Sequence, residues 1–248
     1  MILAGLCLSG ALLFAWPFLG LGVPADTPAM AVALALCAGL AAVELSARRL
    51  DTRRLALLIT LVAVDSALRA VLVIGVAGFS PIFFLILCAG YVMGPRFGFL
   101  VGALSLLTSA LVTGGMGPWV PYELMGVGWC GLAAGVAGLG RRGTPGRRDV
   151  AVLAGLGLLL GWVYGALLDV YDWTQFRLDP GLGWEPGMAA GTALAHFARF
   201  YLSTSLVYDS FRAVGNLLLI VALGGPVLLA LRRHRVRFSI ERVSPAPA

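Results

Sequence analysis

Between Gly90 and Gly140 the chain reads GYVMGPRFGFLVGALSLLTSALVTGGMGPWVPYELMGVGWCGLAAGVAGLG. Three apolar runs are set apart by a Gly-Pro-Arg break and a Gly-Pro-aromatic loop. A helix that is apolar all round has no face for water, so each run belongs in a buried or lipid environment. There every backbone N–H and C=O must be bonded within the segment, which leaves helices as the spanning form. The stretch therefore reads as three membrane helices with a tight inner turn at 94–96 and an aromatic outer loop at 114–121.

The remaining chain divides in the same manner. Apolar runs at 2–22, 30–47, 55–77, 82–94, 97–113, 120–139, 150–171 and 208–232 predict an all-α integral membrane protein with about eight transmembrane helices. The run from Ile82 to Thr113 is too long for one span, which takes about 20 residues. Pro95 splits it, because proline lacks a backbone donor and restricts the residue before it. The expected organisation is an N-terminal helix pair in 1–50, a core in 51–238 with an outer segment at 174–207, and a tail at 239–248. A signal peptide competes with a retained helix at 2–22, but no positive residue precedes the run. Composition agrees: 60% of the 248 residues are hydrophobic and 12% charged, a balance outside that of soluble domains.

Orientation rests on arginine, since the chain has no lysine and its net charge of +6 is an arginine count. With the 48–54 loop inside and the spans alternating, fourteen of the eighteen basic residues face the inner side. That places both termini in the cytoplasm. It requires 187–206 to lie on the outer surface rather than cross. Without lysine there is no P-loop lysine for ATP. Gly126-Val-Gly-Trp-Cys-Gly131 matches G-x-G-x-x-G inside an apolar run with no strand before it, so it predicts no dinucleotide site. Cys7, Cys37, Cys88 and Cys130 form no C-x-x-C pair, and two histidines do not make a metal cluster. His196 with Ser203 or Ser205 lacks a nucleophile elbow. No metal or cofactor is expected, and nucleic acid is not a predicted partner.

Charges within spans carry the functional signal, because each is costly in the hydrocarbon and needs a partner. Asp65 and Arg69 stand four residues apart and predict a structural ion pair on one helix face. Asp209, Arg212 and Asn216 align on one stripe near the outer end of the last helix. Trp119, Tyr122, Glu123, Asp169, Tyr171, Asp172 and Trp173 are expected on the same side. Aromatics with a few fixed polar groups are what a small-ligand site requires. Trp119, Tyr122, Glu123, Asp209, Arg212 and Asn216 are the candidate substrate contacts. Gly90, Gly94, Gly98 and Gly102, Gly131 with Gly135, and Ala63 with Ala67 are small-residue faces for close helix packing or partner docking.

From about Leu55 to Phe238 the chain resembles the substrate-binding S components of energy-coupling factor (ECF) vitamin transporters. The likeness rests on Gly94-Pro-Arg-Phe-Gly98, on Gly117-Pro-Trp-Val-Pro-Tyr-Glu123 followed by Gly128-Trp-Cys-Gly131, and on Asp209-Ser-Phe-Arg-Ala-Val-Gly-Asn216. It implies a six-helix core in a bacterial cytoplasmic membrane that binds a vitamin or precursor near the outer face. Such a subunit has no enzymatic activity alone. It delivers its ligand by docking on a transmembrane T component driven by two cytosolic ATPases. The family's alanine-x-x-x-alanine docking signature falls on Ala63 and Ala67. The helices at 2–22 and 30–47 and the segment 174–207 depart from the family pattern. A corrinoid and a smaller vitamin such as thiamin are both compatible, the large outer segment favouring a bulky ligand. The rival expectations are a self-sufficient transporter or channel using Asp65 and Arg69, and a lipid-modifying membrane enzyme using Glu123 or His196.

Overall fold

The computed structural model describes residues 2–20, 52–71, 80–141, 143–175 and 181–240. The predicted helix at 30–47, the end of that at 55–77, Cys37 and most of the 239–248 tail lie outside the described residues. Eight α-helices make up the described chain, with no strand among them. They are α1 (Ile2–Ala15), α2 (Thr52–Val71), α3 (Ile82–Met93), α4 (Pro95–Thr113), α5 (Val120–Ala137), α6 (Arg147–Gln175), α7 (Ala190–Thr204) and α8 (Leu206–Ile240). A short 3-10 turn, Trp16–Leu19, follows α1. Among the described residues three helices are long and apolar enough to cross a membrane: Pro95–Thr113, Arg147–Gln175 and Leu206–Val236.

α3 explains the centre of the bundle. Its sequence, IFFLILCAGYVM, is apolar on every side, and every residue from Ile82 to Val92 is buried. A helix with no polar stripe can sit only where neighbours surround it. At 12 residues it rises about 18 Å, short of the roughly 30 Å hydrocarbon thickness, and it is surrounded by protein instead. The predicted break after it is present. Gly94 adopts φ 104°, a value that side-chain-bearing residues rarely take, and Pro95 opens α4 at once.

Backbone-to-backbone approach holds α3, α4 and α5 together. A Cβ on Gly98 would fall on the Gly131 carbonyl oxygen, and one on Gly131 would fall on the Gly98 carbonyl. A Cβ on Gly90 would also meet Gly131, and one on Gly135 would meet Pro95. The small-residue rows at 90–102 and 131–135 therefore pack within this chain. α6 and α8 run antiparallel in the same way, with Gly157 against Ile220, Gly161 against Ala213, and Gly165 against the Asp209 carboxylate. Ala63 and Ala67, in contrast, lie exposed on α2.

Two helices exceed their predicted bounds. α6 has 29 residues, about 44 Å, longer than the roughly 30 Å hydrocarbon thickness of a bilayer. α8 continues through Pro226 to Ile240, past the end expected at 232. α7 is 15 residues long, about 22 Å, and lies between the end of α6 and the start of α8. Only Ser205 separates it from α8. Its inward positions, Ala193 and Phe200, join Trp16, Trp173 and Trp184 in an aromatic cluster that closes that end of the bundle.

Substituting Gly98→Leu should abolish or sharply lower the yield of folded protein. Overpacking ordinarily costs about 1–3 kcal/mol, and here the obstacle is backbone, which cannot repack. Gly155→Ala, where an added Cβ meets nothing within 4 Å, should leave melting unchanged or slightly raised. Equal melting of the two variants in a detergent thermal-shift assay would contradict the packing described.

Candidate functional site

The bundle has two chemically distinct ends. One gathers the C-terminal ends of α1, α2, α4 and α6 with the N-terminal ends of α5 and α8, and α7 lies across it. Aromatic and acidic residues dominate there. The other end gathers the α3–α4 turn, the α5–α6 linker and the arginine-rich end of α8.

At the aromatic end, Arg212 is the central group. It ion-pairs with Asp209 one turn earlier on α8. Its guanidinium carbon lies 5.3 Å from the ring centres of both Tyr164 and Tyr208, a cation–π arrangement on two sides. Arg212, Asp209 and Asn216 are all buried. Asn216 donates from Nδ2 to the Gly157 carbonyl at 3.2 Å, while its Oδ1 makes no hydrogen bond. Asp209 Oδ2 and Asp169 Oδ2 are likewise buried, with the Tyr201 hydroxyl beside Asp209 and that of Ser205 beside Asp169. Buried acceptors are ordinarily satisfied, so the open Asn216 oxygen one turn from Arg212 marks a polar centre with unused bonding capacity.

A second polar group enters from α2, α4 and α5. Arg69 donates from Nη1 to Ser109 Oγ at 2.6 Å, and its Nη2 lies 3.7 Å from Glu123 Oε1. This corrects the expected Asp65–Arg69 pair. The guanidinium extends toward the end of α2, where Glu123 offers a carboxylate and Ser109 a hydroxyl. Asp65 instead points inward, fully buried, toward the Ser105 side chain. Its neighbour Ser66 donates to the Ser105 carbonyl at 3.0 Å. The two polar groups are electrostatically joined, since the charges of both Arg69 and Arg212 act on Glu123.

Aromatic rings surround this centre. Tyr122 lies 5.0 Å from Tyr171 and 5.4 Å from Phe14, measured between ring centres, and its hydroxyl accepts from Trp16 Nε1 at 3.0 Å. Tyr164 meets Phe83 edge-on at 4.8 Å. Trp184 donates to the Pro17 carbonyl at 2.9 Å, and Trp173 to that of Leu182 at 2.7 Å. These two bonds bind the 181–189 segment to α6 and to the turn after α1. His196 Nδ1 lies 3.0 Å from the Gly183 carbonyl, which gives it a place in the same cover rather than beside a serine nucleophile.

Of the six candidate contacts, Asp209, Arg212, Asn216 and Glu123 belong to this polar centre and Tyr122 lines the aromatic layer beside it. Trp119 stands apart, 41% exposed, with its ring folded over Gly117. Sequence reasoning missed Tyr164. It lies in an apolar run, and only the spacing of Tyr164 to Gly165 and Gly161 on α6 hints that it sits beside a close helix approach. Cys7, Cys88 and Cys130 are free thiols, and no group of metal-ligating side chains occurs among the described residues. Comparison with protein-family models, with curated proteins and with solved structures gave no match to this chain.

Removing one partner of a buried pair costs about 3–5 kcal/mol, because the other charge is left without compensation. Arg212→Met alone should therefore destabilise the protein by about that amount in a denaturant titration. Adding Asp209→Asn to it should recover more than half. A double variant as unstable as the sum of the singles would show that the two side chains do not act as a pair.

Proposed function

We propose that this chain is the substrate-binding membrane subunit of an ECF-type importer, capturing a vitamin or vitamin precursor at its aromatic end. The observation that carries the proposal is the polar centre on α8 and α6. Arg212 is a buried cation lying against two tyrosine rings and paired with Asp209, and Asn216 one turn further along α8 carries a buried carbonyl oxygen with no hydrogen bond. An anionic or carbonyl group would meet Arg212, a polar edge would meet Asn216, and a planar ring would stack on tyrosine. On this reading the helices alternate across a bacterial cytoplasmic membrane, with the aromatic end outward and the arginine end in the cytoplasm. The exposed Ala63 and Ala67 on α2, flanked by exposed Ile59, Val64 and Leu68, would dock the T component. The two ATPases would act through that component, and the chain alone would bind without turnover.

A specific observation favours a second reading, a self-sufficient transporter. Asp65 is a fully buried carboxylate that faces the Ser105 side chain, on a helix whose other charges are arginines. Intramembrane carboxylates of this kind serve proton and ion pathways.

The two readings separate in one experiment. The solubilised protein is analysed by mass spectrometry for a co-purifying molecule, and cyanocobalamin and thiamin are titrated against it by calorimetry. The importer-subunit reading expects tight binding of a vitamin and no accumulation in vesicles lacking ATPases. Asn216→Ala and the isosteric Glu123→Gln should each weaken binding about tenfold, the effect of losing roughly 1.4 kcal/mol. Uptake by the chain alone, abolished by Asp65→Asn, would favour the transporter. Unchanged binding in both site variants would refute the assignment of the site.

A further inference from the structure

The arginine end holds a cavity of about 250 Å³ lined by Tyr91, Val92, Arg141, Thr144, Asp149 and Arg232, among others. Its walls come from the end of α3, the α5–α6 linker, the start of α6 and the end of α8. The one carboxylate in it is already engaged. Asp149 accepts from the Tyr91 hydroxyl at 2.7 Å and from the Gly146 amide at 2.9 Å, and Arg141 lies 3.6 Å away.

Arg232 has no such partner. Among the described residues it makes no ion pair and no hydrogen bond, and the like charge of Arg235 lies close to it. Arg235 is spent on structure, donating to the Val92 carbonyl at the end of α3. The charge of Arg148 also reaches Tyr91 on the cavity wall. The cavity thus presents a guanidinium without a counter-ion, a second one only partly neutralised, and a threonine hydroxyl. Arginine pairs with phosphate through two parallel N–H···O bonds. Basic pockets between helix ends at a membrane surface bind phospholipid headgroups. At 250 Å³ the cavity is below the range of about 300–1,000 Å³ that suits drug-sized molecules.

We propose that this cavity is a binding site for a phosphate-bearing group, held by Arg232 with Arg141 and Thr144. The same chemistry is supplied by an anionic phospholipid headgroup or by free phosphate, and the site is independent of the aromatic end.

The test uses the full chain in detergent with an equimolar mixture of phosphatidylglycerol and phosphatidylcholine, read by native mass spectrometry. In parallel, millimolar inorganic phosphate is added in a thermal-shift assay. Arg232→Gln removes the unpaired cation, and Arg233→Gln removes an exposed neighbour outside the cavity. A preference for phosphatidylglycerol that falls about fivefold in Arg232→Gln and persists in Arg233→Gln supports the site as a headgroup pocket. Stabilisation by inorganic phosphate without lipid preference, lost in Arg232→Gln, supports it as a soluble-phosphate site. Neither effect in the wild-type chain, or an equal loss in both variants, overturns the proposal. Both residues project from the end of α8, so circular dichroism and elution volume suffice to confirm that each variant is folded.

Discussion

Helices that touch through their backbones leave little room for error in where their other faces point. The contact of Gly98 with Gly131 fixes α5 against α4, and that of Gly135 with Pro95 fixes it again one turn further along. The start of α5 is thereby set beside the end of α2, where Glu123 meets Arg69. The contacts of Gly161 with Ala213 and of Gly165 with Asp209 do the same for α8 on α6, and bring Arg212 over Tyr164. In lipid no hydrophobic drive holds helices together, so small residues that permit close van der Waals contact take that role. The polar centre is a consequence of those approaches.

The centre in turn explains why charges are tolerated in so apolar a body. Two arginines and several carboxylates share the same end, each cation with a carboxylate and a ring or hydroxyl beside it. A guanidinium suits this work. It keeps its charge when buried, it stacks on aromatic faces, and its planar fork can serve more than one partner. Arg69 does this with Ser109 and Glu123, and Arg212 with Asp209, Tyr164 and Tyr208. The cover of α7 and the 181–189 segment, pinned by Trp173 and Trp184, lies over the same end. At the opposite end Arg235 is held by the Val92 carbonyl and Arg141 lies beside Asp149.

Much of this was legible in the sequence. The break at Gly94-Pro95, the all-apolar character of 82–93, the rows of glycine and the stripe of Asp209, Arg212 and Asn216 are local patterns, and local patterns survive folding. What the sequence did not disclose depends on neighbours far along the chain. The i,i+4 spacing of Asp65 and Arg69 satisfies a helix rule, yet Glu123, more than fifty positions away, offers Arg69 a better partner. Trp119 has the composition of a ligand contact, but the loop turns its ring onto Gly117. Tyr164 carries no local mark at all, because its role follows from the approach of α8 to Gly161 and Gly165. Helix ends were the least legible feature: α6 runs on into polar sequence at both of its ends, and α8 at its C-terminal end.

The sidedness of the bundle is the claim from which the site and its opposite pole both follow. It is tested most directly by single cysteines placed in a cysteine-free chain at Thr144 and at Glu185, probed in intact cells with a membrane-impermeant maleimide. The account predicts that Glu185→Cys reacts from outside and that Thr144→Cys reacts only after the membrane is opened. Labelling of Thr144→Cys in sealed cells, or of both positions from one side, would contradict it.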